Sequence, residues 1–165
     1  MSPSEPEISF FRLPRDIDRQ AIAQFGVTLR ARVVRGREFA ILVTTDSELQ
    51  RLNRTFRHKD YPTDVLSFPA PSAGLPEGSL SKGYLGDLAI SWQRARQQAR
   101  QFGHPVETEI QVLMLHGVLH LSGLDHETDG GRMSRAIVDI GDGASWLDIG
   151  ENTPFSIPSR FEKAR

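Results

Sequence analysis

Hydrophobic and polar positions recur along this chain with two different periods, and each period predicts a different kind of element. Residues 38–45 form a short apolar run rich in strand-forming side chains, which favours a buried strand. Apolar residues between 16 and 29 recur every three or four positions, which favours an amphipathic helix. The same reasoning predicts strands at 7–13, 38–45, 65–68 and 84–91, and helices at 16–29, 46–56, 91–102, 105–121 and 129–140.

The order of these elements predicts an α/β fold of the α+β kind, in a single domain that spans residues 1–165. Strands and helices alternate in the first half, and helices dominate the second. We therefore expect one mixed four-stranded sheet packed with about five helices. Residues 1–6 and about 150–165 are polar and contain prolines, so we expect both ends to be flexible.

Composition and charge narrow the classes of function. No apolar run approaches the ~20 residues needed to span a bilayer, and the start of the chain lacks a secretion signal, so we expect a cytoplasmic protein with no membrane partner. The chain has no cysteine, which excludes disulfides and thiolate metal ligands. The net charge of −1 gives no reason to expect DNA, although residues 30–59 hold eight basic and three acidic side chains. That stretch is either a solvated surface or a face for a polyanion.

Three of the five histidines, His116, His120 and His126, lie within eleven residues, in the pattern H-x-x-x-H-x-x-G-x-x-H. Helical residues four apart share a face, and Gly123 allows a sharp turn that can bring the third imidazole back to the other two. Three imidazoles with an open fourth position are typical of catalytic zinc. The sequence therefore predicts one Zn²⁺ per chain that serves hydrolysis. Ordinary core or surface histidines are the alternative.

The residue after the first histidine distinguishes two kinds of hydrolase. Zinc proteases of the H-E-x-x-H type carry a glutamate base there, whereas this chain has Gly117. A metallopeptidase would have to recruit its base from another part of the chain. It is therefore a lesser alternative, and chelator-sensitive cleavage of a protein substrate would favour it.

Three blocks of this sequence together resemble the YbeY family of bacterial endoribonucleases. They are the histidine run, residues 52–57 continued by the segment PTDVLSFP at 62–69, and the Gly-Asp pair at 86–87. The resemblance covers roughly residues 41–133. It implies a metal-dependent, single-strand-specific endoribonuclease that acts in ribosomal RNA maturation, at the 3′ end of 16S rRNA, and in ribosome quality control. The implied partners are ribosomal RNA and the small ribosomal subunit.

The resemblance also implies roles for individual residues. The family's important arginine falls on Arg57, which we expect to contact the scissile phosphate or its developing charge. A surface ion pair with Asp60 or Asp64 is the alternative. The general base is open between Asp87 and water on the metal. Two departures from the family are Tyr61, where a lysine is usual, and the glycines of the predicted last helix, which weaken it.

A ribosome-assembly factor with a structural metal and no catalytic activity is the main alternative function. Co-sedimentation of a folded histidine-to-alanine variant with small subunits would favour it. Aromatic side chains near the arginine could stack on RNA bases. The spacing of Phe56 and Phe68, however, predicts that both face the core.

Overall fold

The structure is a computed structural model that describes residues 5–71 and 83–122. Four strands and four helices confirm a mixed α+β fold. They are β1 (Glu7–Phe10), α1 (Arg19–Arg32), β2 (Glu38–Thr44), α2 (Asp46–Arg57), β3 (Val65–Pro69), β4 (Tyr84–Ser91), α3 (Trp92–Phe102) and α4 (Val106–Leu121). The described residues thus contain four helices rather than about five, because the helix predicted at 129–140 lies outside them. Within those ranges, no helix is long and apolar enough to cross a bilayer.

The four strands form one mixed sheet in the order β1-β2-β4-β3. β1, β2 and β4 run parallel, and β3 pairs antiparallel with β4. The mixed four-stranded sheet that the sequence predicts is therefore confirmed, with β3 at one edge. The first strand ends at Phe10, earlier than predicted, because the chain turns at Arg12, whose φ of 55° does not belong to a strand.

Gly86 allows β3 and β4 to pair closely. Its φ of +137° lies in a region that side chains disfavour. A Cβ there would collide with the backbone carbonyl of Phe68 and would lie 2.9 Å from the amide nitrogen of Ala70. A β-bulge accompanies this glycine, since the register between β2 and β4 shifts between Glu38 and Ala40.

The main core lies on one face of the sheet, beneath α1, α3 and α4. Nearly every residue of α4 is buried, which explains why its sequence is apolar on all sides. The largest buried side chains of this core include Ile22, Leu29, Phe39, Ile41, Leu88, Ile90, Ile110, Leu113 and Met114. The helix that carries the histidine pair is therefore the most deeply embedded element of the fold.

α2 packs on the opposite face of the sheet, over β3 and β4. Leu49 of α2 forms a small buried cluster there with Leu66 and Ala89. The prediction that Phe56 faces the core is wrong: its side chain is 62% exposed and meets Phe68 edge-on, with ring centroids 5.4 Å apart. Phe56 lies in the last turn of α2. This turn does not rest on the sheet, and the Phe56 side chain lines an open groove of about 580 Å³ over β1 and β2.

Capping residues define where α2 and α3 begin and where α3 ends. Ser91 caps α3 by accepting a hydrogen bond from the Arg94 amide, and Gly103 ends α3 with a φ of +71°. Thr45 caps α2 by accepting from the Glu48 amide, so Asp46 in the first turn is not needed as a cap. The Asp46 carboxylate instead accepts hydrogen bonds from the Ser91 hydroxyl, at 2.6 Å, and from the Arg94 guanidinium, at 3.2 Å. This contact ties the start of α2 to the start of α3.

Candidate active site

The structure places two of the three predicted metal ligands on one helix. His116 is 1% exposed, and His120 lies one turn later, partly exposed, near the end of α4. Because they are four residues apart, their imidazoles project from the same face. His126 lies outside the described residues, and no group of three candidate metal ligands occurs within 5–71 and 83–122. One imidazole anchored in the core and a second nearer to solvent form a donor pair that suits zinc.

Gly117 brings the histidine helix close to the sheet. A Cβ at this position would lie 2.5 Å from Leu88 Cδ2 and 2.7 Å from Leu88 Cδ1. Leu88 is itself 1% exposed, so its side chain has little room to move. In H-E-x-x-H proteases the residue after the first histidine carries the glutamate base. Here Leu88 of β4 fills the space that a side chain at this position would need, which is evidence against a peptidase of that type.

Arg57 is held by main chain rather than by a carboxylate. Its Nη2 donates to the Ser67 carbonyl oxygen at 2.7 Å. The alternative of an ion pair with Asp60 is wrong, because that carboxylate accepts from Gln50 at 3.0 Å and pairs with Arg54 at 3.6 Å. Within the described part of the chain the Arg57 guanidinium forms no ion pair. The guanidinium is therefore fixed in position, and no carboxylate among the described residues neutralises its charge.

The turn after Arg57 is held by Asn53, a residue that the sequence reasoning missed. Asn53 is 2% exposed, and its side-chain amide donates to the Tyr61 carbonyl at 2.9 Å. Its own carbonyl accepts from the amides of His58 and Lys59, where His58 adopts a left-handed conformation. A polar residue on the apolar stripe of α2 was the available signal. Asn53 thus fixes the direction in which the chain leaves the arginine.

A short series of contacts joins the arginine to the histidine helix. Ser67, which holds Arg57, is the β-sheet partner of Leu88. Leu88 in turn packs against Gly117, the residue after His116. Both α2, which ends at Arg57, and α4 contact β3, from opposite faces of the sheet. The structure therefore connects Arg57 to the histidine helix through the edge strand.

Asp87, a candidate base, lies on the face of the sheet opposite the histidine helix. Successive side chains of a strand point to opposite faces, and Leu88 faces α4. Asp87 is exposed on the other face, where it lines the groove and accepts a hydrogen bond from the Tyr84 hydroxyl. Burial and this hydrogen bond raise the pKa of Tyr84 above its usual range. Asp87 is thus not positioned to act as the base of a reaction at the histidines.

The fold and this site together define a class: a small α+β protein with a histidine pair on a buried helix and an arginine anchored on the edge strand of the same sheet. The family profile described as Endoribonuclease YbeY matches residues 14–137. The chain therefore belongs to the YbeY family of endoribonucleases, and the expectation of an enzyme, a hydrolase of RNA, is confirmed at that level.

Individual relatives agree with this assignment. An endoribonuclease YbeY from Solibacter usitatus is 53% identical over 133 residues, which cover 81% of this chain and 84% of the relative. One from Koribacter versatilis is 45% identical over 118 residues, 71% of each chain. The solution structure of TM1509 from Thermotoga maritima matches with a TM-score of 0.52 at 24% identity, covering 78% of this chain and 83% of that one. This last likeness supports the fold.

Proposed function

We propose that this chain is a metal-dependent endoribonuclease specific for single-stranded RNA, with one Zn²⁺ held by His116, His120 and His126. Its proposed substrate is ribosomal RNA of the small subunit, at the 3′ end of 16S rRNA and in ribosome quality control. The observation that carries the proposal is the anchoring of Arg57 on β3, an edge strand that the histidine helix α4 also contacts. Membership of an endoribonuclease family supports the reaction class.

Arg57 supplies the charge that a phosphodiester requires. One of its N–H groups is used by the Ser67 carbonyl, and the others remain to contact phosphoryl oxygens. The guanidinium is always protonated, and its anchor removes much of the conformational freedom that a free arginine would lose on binding RNA. A positive charge held in place in this way is suited to stabilise the charge that develops on the phosphate.

The histidine helix supplies rigidity. α4 is buried along almost its whole length, so packing fixes the direction of the His116 imidazole and the position of the backbone that carries His120. When bound, a zinc ion would act as a Lewis acid toward a phosphoryl oxygen and would lower the pKa of its water. No described carboxylate is assigned as the base, because Asp87 faces the other side of the sheet.

The choice of single-stranded RNA is supported by aromatic exposure around the arginine. Phe56 precedes Arg57 in α2 and is largely exposed, and Tyr61 follows in the next turn with 48% of its surface exposed. Exposed aromatic rings stack on bases that are not paired, and sequence-tolerant RNA proteins use this contact. The tyrosine that replaces the family's usual lysine would thus exchange a charge for a stacking surface.

The test combines elemental analysis with cleavage of a single-stranded fragment from the 3′ end of 16S rRNA. The variants are His120→Ala and Arg57→Ala, with Arg51→Ala as the matched control. Arg51 lies on the same helix, but its guanidinium pairs with Glu48 at 2.5 Å and is not at the site. We expect one zinc per chain in all but His120→Ala. We expect cleavage to fall about 10²–10³-fold in Arg57→Ala and to be lost in His120→Ala.

Three outcomes would contradict the proposal. A wild-type chain that cannot be loaded with metal refutes the ligand set. Metal with no RNA cleavage by any variant would favour the ribosome-assembly factor, and co-sedimentation with small subunits then becomes the decisive measurement. Equal losses in Arg57→Ala and Arg51→Ala would mean that general positive charge on α2, rather than the anchored arginine, supports cleavage.

A further inference from the structure

β3 is an edge strand with an unusual set of hydrogen-bonding groups on its outer side. Asp64 and Ala70 bond to β4 through their main chains, at 2.9 Å each. In an antiparallel pair, residues that bond to the partner alternate with residues that point away from it. The N–H and C=O groups of Val65 and Ser67, and the C=O of Pro69, therefore point away from β4. These groups form the open edge of the sheet.

Two of these five outward groups already have a partner. The Val65 N–H donates to the Asp64 carboxylate at 2.8 Å, and the Ser67 carbonyl accepts from Arg57. Pro69 has no N–H to donate. Along the described ranges, the Ser67 N–H is thus the one outward donor of β3 for which no partner is found. It lies directly beside the arginine.

We propose that the main-chain N–H of Ser67 and the guanidinium of Arg57 together form one phosphate-binding cradle that holds the RNA strand at the edge of β3. The inference rests on the proposed function, because it takes single-stranded RNA as the substrate. The inference adds a main-chain donor, the Ser67 N–H, to the side-chain donors of Arg57. The cradle positions one phosphate of the strand at the edge of the sheet.

The geometry of a strand supports this pairing of donors. The N–H and C=O of one residue point to the same edge and lie side by side. Because the Arg57 guanidinium is fixed on the Ser67 carbonyl at 2.7 Å, its remaining N–H groups lie next to the Ser67 N–H. A charged fork next to a main-chain N–H is a common way to bind a phosphate oxygen.

Nearby carboxylates do not compete for the cradle. Asp64 is 9% exposed, and its two oxygens accept from the Val65 amide and from the Gln98 side chain, at 2.8 and 3.1 Å. Asp60 is occupied by two side chains of α2. Arg57 is therefore the charged group bonded directly at Ser67, and its charge favours an anion there.

The first test compares Ser67→Pro with Ser67→Ala. Both substitutions remove the hydroxyl, but only proline removes the N–H. Proline is tolerated at an outward position of an edge strand, and Pro69 already occupies such a position in β3. The probe is a fluorescent single-stranded 2′-O-methyl RNA, whose binding is followed by anisotropy at several salt concentrations. We expect Ser67→Pro to bind about tenfold more weakly than Ser67→Ala.

The salt dependence separates the cradle from a structural effect. Loss of a neutral donor leaves the slope of log K against log [salt] unchanged, so Ser67→Pro and Ser67→Ala should have the same slope. Arg57→Ala should lower the slope by about 0.7, the value for one phosphate contact on a single strand. If Ser67→Pro lowers the slope as well, the proline has displaced the Arg57 guanidinium. The shift of the Ser67 amide in the wild-type protein, described next, then decides whether the cradle forms.

The second measurement needs no variant. In ¹H–¹⁵N spectra of the wild-type protein, the Ser67 amide should shift downfield when the same RNA is added, as an N–H does on bonding to an anion. An unchanged Ser67 amide, or equal affinities of the Ser67→Pro and Ser67→Ala variants with equal slopes, would overturn the cradle while RNA binding by the wild type still stands. A wild type that binds no RNA would overturn the proposed function itself, and the cradle with it.

Discussion

The substitution Gly117→Ala tests how closely the histidine helix approaches the sheet. A methyl group at 117 would have to displace Leu88, whose three nearest side-chain carbons lie 2.5 to 3.1 Å from the added Cβ. Overpacking of this kind typically costs ~1–3 kcal/mol. Alanine in place of glycine also gains ~1 kcal/mol of helix propensity. We therefore expect a net loss of up to ~2 kcal/mol in the free energy of unfolding.

The effect of Gly117→Ala on the free energy of unfolding should change sign when Leu88 is shortened. Leu88→Ala alone should destabilise the fold by ~2–5 kcal/mol, because it leaves a cavity between helix and sheet. In that background the methyl at 117 meets none of the three carbons, since all belong to Leu88. Gly117→Ala should then stabilise by the ~1 kcal/mol of its helix propensity. Urea unfolding of the four proteins, followed by circular dichroism, measures this double-mutant cycle.

A stabilising effect of Gly117→Ala in both backgrounds would refute the reasoning, since the position would then have room for a side chain. The substitution Gly117→Glu, which creates H-E-x-x-H, extends the test. It adds the burial of a carboxylate, which costs several kcal/mol, to the overpacking, so we expect a drop in Tm of more than about 10 °C and no peptidase activity. Stable folding of Gly117→Glu would reopen the peptidase alternative.

Three further predictions follow from other parts of the structure. Asn53→Ala removes a buried donor to the turn after α2 and should lose ~1–3 kcal/mol in urea unfolding and reduce RNA cleavage, with metal content unchanged; normal cleavage would show that the turn does not position the arginine. His104→Ala removes a partner that lies 2.6 Å from the fully buried Glu109 carboxylate and should lower stability by a similar ~1–3 kcal/mol. Because the pKa of Tyr84 is raised, the unfolded chain loses this proton near pH 10, about the usual value, while the folded chain retains it. The stabilisation is therefore complete below about pH 10 and is lost as the pH rises, so Tyr84→Phe should flatten the fall of Tm between about pH 10 and 12; an identical fall in both proteins would exclude this contribution.

Much of the fold could be predicted because the long elements have clear patterns of apolar residues. The apolar run of β2, the helical spacing of α2 and the long apolar stretch of α4 depend only on which side chains must be buried. The spacing of the histidines supplied the candidate metal ligands and the family resemblance supplied Arg57. The structure adds that His116 and His120 lie on α4 and that Arg57 is anchored on β3. The role of His126 as a ligand stays a prediction, since this residue lies outside the described part.

Two features could not be predicted for identifiable physical reasons. The partner of Arg57 is a main-chain carbonyl, and every residue has one, so no residue type marks it. The face to which Asp87 points depends on the bulge near Gly86, which interrupts the alternation of β4 and places Leu85 and Leu88 in the same core. A strict period of two would have assigned those two leucines to opposite faces.

The hydrogen bond between Arg57 and Ser67 also hinders the pairing of β3 with a strand of a second molecule. An open edge strand can template the growth of a β-sheet from one molecule to the next. In β3 such growth is hindered at three successive outward positions, where Asp64 occupies one amide, Arg57 occupies one carbonyl, and Pro69 offers no donor. A variant without the arginine would therefore not simply be an inactive enzyme. It would expose a carbonyl on an edge next to a free amide, and loss of solubility could then be mistaken for loss of function.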